Sequence, residues 1–295
     1  MTTLPIAVIC TPLPVEFEAV SQLLDRGRMV EENRGGTVYQ LAEFQGLHTK
    51  WLVALTLSGR RNEATSVAVQ NALDTWKPQV LLLVGVAGGL KDTEIGDVVA
   101  ASKVYGYEGG KDTDPEFLSR PDAMPTSHAL FQQSHLVMRA GTWIERVEPG
   151  TKAPEVHFGA IASGAKVVSG SASRTAEHIR TSCGDAVAVD MEGFGAMVAA
   201  HQSRETEATV IRGISDLLDD KDNATDRVTQ PMAAGRAAAF ALALIERHTP
   251  ERARPVPTPP VSRPTYIGAS GPGATANIGA LGEGSSGQVY NIHGF

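Results

Sequence analysis

The chain is poor in the residues that staple small proteins or hold metals. Only two cysteines occur in 295 residues, Cys10 and Cys183, and no C-x-x-C pair exists. That argues against a structural zinc site and suits a reducing, cytoplasmic setting. The eight histidines are scattered, with no H-x-x-x-H pair, so no metal and no cofactor is expected. No uninterrupted apolar run reaches the ~18 residues of a membrane span. The first residues, MTTLPIAVICTPLP, have no basic segment, and their apolar run is too short for a signal peptide. Basic blocks are absent too. With a formal net charge of −7, a general nucleic-acid binder is not expected.

What is present is a soluble globular pattern, 42% hydrophobic and long enough for one large α/β domain or two small ones. Short β-rich runs alternate with helical ones, which predicts an α/β fold. IAVIC (6–10), TVYQLAEF (37–44), HTKWLVALTL (48–57) and QVLLLVGVAGGL (79–90) read as strands. So do GDVVAASKVY (96–105), FGAIASG (158–164), DAVAVDME (185–192) and EATVIRGISD (207–216). Residues 16–24 predict a helix with Phe17, Val20 and Leu23 on one stripe. Residues 62–76 predict another, with Ala64, Val67, Ala68 and Ala72 at helical spacing, stopped by Pro78. Helices are also expected over 128–145, 193–204 and 231–248. The polar, Pro-containing stretch 108–127 reads as a long loop of the kind that forms lids. After His248 the composition shifts. Residues 249–266 are Pro-rich and predict a semi-rigid linker. Residues 267–295 are rich in Gly, Ser and Asn and lack the makings of a core. The expected domain is therefore 1–248.

Four strand ends carry chemistry: TPLPVE (11–16), GVAGG (85–89), DMEG (190–193) and SDLLDD (215–220). Parallel and mixed sheets bind ligands at such ends. Each is ambiguous by itself. Asp190 and Glu192 suit a helix cap. Glu16 suits the first turn of a helix. GVAGG has neither a Walker lysine nor G-x-G-x-x-G spacing and reads equally as a structural turn. Asp216 suits an N-cap.

Taken together and in this order, LPVEFEAV, VGVAGGLKDTEIGDVV, VAVDMEGFGAMVA and VIRGISDLLDD resemble the nucleosidase branch of the nucleoside phosphorylase superfamily, typified by methylthioadenosine/S-adenosylhomocysteine nucleosidases. The resemblance spans about residues 5–248. It implies a single α/β domain with a central twisted mixed sheet flanked by helices, and a homodimer or larger assembly. It places Glu192 and Met191 at the ribose, the carboxylate accepting from vicinal hydroxyls and the methionine packing on the sugar. It makes Asp216 the catalytic acid, oriented by Ser215. Adenine is a poor leaving group as an anion, so N7 must be protonated as the glycosidic bond breaks. Glu16 is implied to position the attacking water. Glu192 would stabilise the oxocarbenium-like state. The backbone at Ala87 and Gly88 would line the sugar and the water.

The departures from that pattern matter. Phosphorolytic relatives carry a phosphate-binding arginine and a hydroxyl where this chain has TPLPVE, Leu83 and Val86, which favours water as nucleophile. The family's base-stacking aromatic is missing, and Val167 stands near its position. Arg60 and Arg61 in SGRRN (58–62) replace glycine and small residues. They read either as solvated surface charge or as ligands of a nucleotide's phosphates. Residues 267–295 resemble short bacterial amyloid signalling motifs that recruit a partner bearing a like motif, and equally read as a plain disordered tail. The first reading makes the chain a defence effector, antiphage in kind, that destroys adenine nucleosides or nucleotides such as ATP. A metabolic methylthioadenosine/S-adenosylhomocysteine nucleosidase, a phosphorylase, a non-catalytic nucleoside sensor and a tail-driven assembly module remain as alternatives. Retention of Glu16, Glu192 and Asp216 favours the enzyme.

Overall fold

The two faces of β1 (Ile6–Thr11) set the architecture. Ala7 and Ile9 enter one apolar cluster, Val8 and Cys10 another, and all four are fully buried. β5 (Val80–Gly89) divides the same way, with Leu82 and Val84 on one side and Leu81 and Leu83 on the other. Side chains alternate across a strand, so a strand covered on both faces reads as a continuous apolar run. These two runs are the most legible parts of the sequence for that reason.

The computed structural model describes residues 4–24, 28–150, 154–218 and 223–250. The linker and tail readings at 251–295 lie outside the described residues. Twelve strands form one mixed sheet. β1 pairs in parallel with β5 and with β4 (Lys50–Leu57), and β3 (Thr37–Gln45) and β2 (Val30–Arg34) extend that side as an antiparallel meander. β13 (Ala186–Asp190) meets only the end of β5, running antiparallel. It pairs in parallel with β12 (Ala160–Ser163), which in turn pairs with β7 (Lys103–Gly106). Along its other edge β5 is paired in parallel over its whole length by β14 (Glu207–Leu217). β6 (Val98–Ala100) then joins β14, and β11 (Val156–His157) joins β6.

Helices cover both faces. α1 (Pro14–Leu23) packs on α6 (Asn223–Arg247), which lies along β14 and β5. On the other face α2 (Asn62–Trp76) packs on α5 (Gly193–His201). α3 (His128–Ala140) lies on α6, and α4 (Arg174–Ser182) covers a third cluster over β12 and β13. By length and composition Arg227–Arg247 would pass as a membrane span, with mean hydropathy 1.3. Burial assigns it instead to the core: Phe240, Leu242, Leu244 and Ile245 have no exposure.

Three expectations are corrected. The stretch 108–127 is not one long loop. It holds β8 (Gly110–Asp112) and β9 (Phe117–Ser119), which form a separate two-stranded ribbon, and β10 (Asp122–Pro125), which pairs with β7. These strands are held by backbone ladders, and β8 is exposed throughout, so no apolar alternation marks them. Residues 96–105 hold two strands with different partners rather than one. α2 occupies the expected 62–76, but its buried face is Thr65, Val69, Ala72, Leu73 and Trp76, and Val67 is 63% exposed. The stripe of Val69, Leu73 and Trp76 outweighs the alanine-rich one.

Candidate active site

Glu16 sits in the first turn of α1, which starts at Pro14 directly after β1. Its Oε2 accepts the amide of Leu13 at 2.6 Å, closing the helix start. Its Oε1 accepts the amide of Val86 at 2.7 Å, so the carboxylate also reaches mid-β5. Glu16 thus closes the helix start, as the cap reading expects, and the same carboxylate bonds β5. Burial pushes its pKa up to about 7, against the opposing pull of Arg212 and the two amides; the nearby Glu192 adds to the rise.

Arg212 is the residue that sequence reasoning missed. It stands mid-β14 with its side chain completely buried. Nε and Nη2 donate to Asp190 Oδ2 at 2.9 and 2.6 Å, and Nη2 also reaches Glu192 Oε2 at 3.3 Å. Nη1 has no protein partner. Burial alone would lower the pKa of Arg212, but Asp190, Glu192 and Glu16 together raise it and hold it charged. A single cation in a strand buried on both faces demands such partners, and that was the available signal in VIRGISD. Gly85 makes room for the meeting: a Cβ there would occupy the space of Arg212 Nη1 and the Glu16 carboxyl group.

The pair Asp190 and Glu192 divides its labour. Asp190 accepts the Gly193 amide at 3.1 Å, the first amide of α5, and anchors Arg212. Glu192 Oε1 accepts the amide of Arg61 at 3.0 Å. Burial raises the Glu192 pKa, Arg212 opposes, and Asp190 adds to the rise. Met191 between them is half-buried.

Asp216 arrives beside Gly88 through a bulge. The register of β14 on β5 shifts between Ile214 and Asp216, so Ser215 is the extra residue and Asp216 pairs with Gly88. Bulges re-aim side chains in this way. Ser215 Oγ donates to Asp216 Oδ1 at 2.8 Å in a buried bond. Oδ2 then lies 3.5 Å from where a Gly88 Cβ would be, and Val189 Cγ1 lies 3.3 Å from it. Gly88 thus lies between Val189 of β13 and Asp216 of β14, and Ala87 beside it is buried.

Leu83 is fully buried in the core away from this cluster, while Val86 contributes its amide to Glu16. Val167 is 60% exposed; its neighbour Val168 is the buried one, in the cluster that contains Val189 and Leu218. Arg60 and Arg61 are exposed, and neither guanidinium has an ion pair or hydrogen bond among the described residues. Arg61 has φ 76° and ψ 156°, a region suited to glycine. A side chain there costs about 1–3 kcal/mol and persists only where surroundings enforce it. Asn62 is part of the enforcement, and was not anticipated. Its Oδ1 accepts the Gly195 amide at 2.8 Å and Ser163 Oγ at 3.1 Å, and Ser163 Oγ accepts the Phe194 amide at 3.1 Å. Among the described residues, no group of three or more His, Cys, Asp or Glu side chains is arranged to hold a metal.

Known proteins resemble this chain in sequence and in fold. The chain is 26% identical over 258 residues to the ATP nucleosidase Cap17 of Escherichia coli, covering 78% of this chain and 50% of that one. It is 28% identical over 174 residues to the 5′-methylthioadenosine/S-adenosylhomocysteine nucleosidase of Staphylococcus carnosus, covering 59% and 72%. The chain therefore spans about half the length of the ATP nucleosidase it matches. Among solved structures, the methylthioadenosine/S-adenosylhomocysteine nucleosidase of Neisseria meningitidis, in complex with methylthio-immucillin-A, superposes with a TM-score of 0.67 at 20% identity. It covers 82% of this chain and 99% of its own. The futalosine hydrolase of Helicobacter pylori gives 0.67 at 19%, with the same coverage. These two likenesses establish the fold. The model of the Phosphorylase superfamily matches residues 5–246, most of the chain, and the protein belongs to that superfamily.

Proposed function

We propose that the protein is an N-glycosidase that hydrolyses the bond between base and ribose in a purine nucleoside or nucleotide. One observation carries this reading: a buried Glu16–Arg212–Glu192 cluster and a serine-bonded Asp216 both lie along the last residues of β5, Glu16 at Val86 and Asp216 at Gly88. Water held at Glu16 attacks C1′ as the bond from C1′ to the base nitrogen breaks. Glu16 takes the proton of the water, Asp216 supplies a proton to the departing purine, and the products are the free base and the ribose part. Glu192 accepts hydrogen bonds from the sugar hydroxyls and offsets the positive charge that develops on the ring. Met191 packs on the sugar. Glu16, poised near neutrality, suits a general base.

Charge favours water over phosphate. Arg212 is a single cation among three carboxylates, so a phosphate dianion would enter a site already rich in negative charge. Arg60 and Arg61 beside Glu192 favour a nucleotide over a plain nucleoside, and the relative named an ATP nucleosidase supports that substrate class. The Staphylococcus carnosus relative supports the metabolic alternative, methylthioadenosine or S-adenosylhomocysteine. The reading extends to a cytoplasmic homo-oligomer whose residues 267–295 recruit a signalling partner, as a defence effector would; the composition of the tail supports this part.

The test is to incubate the purified chain with ATP, AMP, adenosine and methylthioadenosine without phosphate and to measure free base. Base release is expected, and Asp216→Asn should lower kcat on the order of 10²-fold or more. No base from any of the four, or full activity in the variant, overturns the assignment.

A further inference from the structure

Arg61 is held where an arginine is uncomfortable. Its backbone lies at φ 76°, ψ 156°, a conformation open to glycine and strained for any residue with a side chain. It also places a cation at the N-terminal end of α2, the end whose dipole favours the opposite charge. The guanidinium itself gains nothing in return among the described residues: it is exposed and has no ion pair or hydrogen bond there. Only the backbone of Arg61 has a structural duty, since its amide donates to Glu192 at 3.0 Å and its carbonyl accepts the Thr65 amide at 3.1 Å. Glycine would perform both tasks without strain. The side chain is thus available to a ligand, and the hydrogen bond from the Arg61 amide to Glu192 roots it beside the carboxylate assigned above to the ribose.

We propose that Arg61 is the specificity-determining residue of this site, its amide fixing Glu192 for the ribose while its guanidinium takes the 5′-phosphoryl groups of the same substrate. The proposal rests on the nucleotide reading given above and adds to it that one residue links the two ends of the substrate. A guanidinium binds phosphoryl oxygens by charge-assisted, bidentate bonds, which suits a nucleoside di- or triphosphate. Asn62 and Ser163 act as positioning residues, because they tie the turn to the start of α5.

The experiment compares Arg61→Gly, Arg61→Ala and Arg61→Lys in the full chain, with kcat and KM measured on ATP and on adenosine and with thermal midpoints alongside. Arg61→Gly should raise the midpoint by a few degrees, since strain is released. It should also lower the preference for ATP over adenosine, as a ratio of kcat/KM, by at least tenfold through KM. Arg61→Ala should lose the same preference without the gain in midpoint, and Arg61→Lys should recover part of it. Parallel changes on both substrates, an unchanged preference, or a lowered midpoint in Arg61→Gly would overturn the role of the side chain and leave the nucleotide reading standing. A wild-type protein that prefers adenosine or methylthioadenosine to ATP would instead overturn the nucleotide reading and this proposal with it.

Discussion

Two arginine settings lie on either side of Glu192, and they are built on opposite terms. Arg212 has no exposure and is surrounded by Asp190, Glu192 and Glu16. Arg61 is exposed, without a partner for its guanidinium among the described residues, and strained in its backbone. The first is finished before any ligand arrives: its carboxylate partners are already in place, burial excludes water, and only Nη1 is left over, toward Glu16 and Gly85. The second is complete only when something else binds. The difference separates chemistry, which gains from dipoles already in place, from recognition, which needs a group free to meet its ligand.

The comparison is broken most severely at Arg212. Arg212→Met would leave three carboxylates buried without their cation. Losing one partner of a buried pair costs about 3–5 kcal/mol, so the thermal midpoint should fall by ~10 °C or more at pH 7. A fall of under about 2 °C would mean that the carboxylates find other partners or protonate freely.

Glu16 sharpens the contrast through pH. Burial favours its protonated form, with a pKa of about 7 against 4.5 in a solvated chain. The activity limb follows: kcat/KM should climb about tenfold per pH unit below 7 and level off above it. Glu16→Gln should be flat in pH and lower at the plateau. The stability sign is the reverse. The contribution of this group is full below pH 4.5 and is lost as pH rises through about 7. Midpoints of wild type should therefore fall relative to Glu16→Gln across that window. A wild-type limb that persists in the variant would assign it to another group.

The smallest effect belongs to the recognition side. Asn62→Ala would leave the Gly195 amide and Ser163 Oγ without their acceptor, at a cost of about 1–2 kcal/mol. A drop of a few degrees in midpoint is expected, together with a raised KM, because the Arg61 turn loses its tether. An unchanged KM beside a lowered midpoint would limit Asn62 to a structural role.

Legibility in the sequence followed burial. β1 and β5 were readable because both faces are covered and the apolar run is unbroken. Glu16 and Glu192 stood out because each comes shortly after an apolar strand run, and Asp216 because it comes at the end of the strand β14. Arg212 was passed over because one charge inside VIRGISD looks like an interruption, and its meaning comes from partners 20 and 22 residues away. Asn62 was invisible for a similar reason: its partners lie 101 and 133 residues off. The ribbon of β8 and β9 escaped because its ladder is a backbone matter. Polar α4, RTAEHIRTS, was passed over as well; it has only Ala176 and Ile179 as buried anchors.

β14 has a consequence for the order of assembly. It brings both Arg212 and Asp216, it is the last strand along the described chain, and yet its partner β5 begins at residue 80. On a ribosome, β5 emerges long before the strand that will flank it, and its apolar edge has to wait through more than a hundred residues of synthesis. Pairing across such a separation is slow and exposes the waiting edge to aggregation. It also sets a threshold on competence. A chain stopped before residue 207 has Glu16 and Glu192 but neither Arg212 nor Asp216, so the full cluster of the proposed site comes together in one late step.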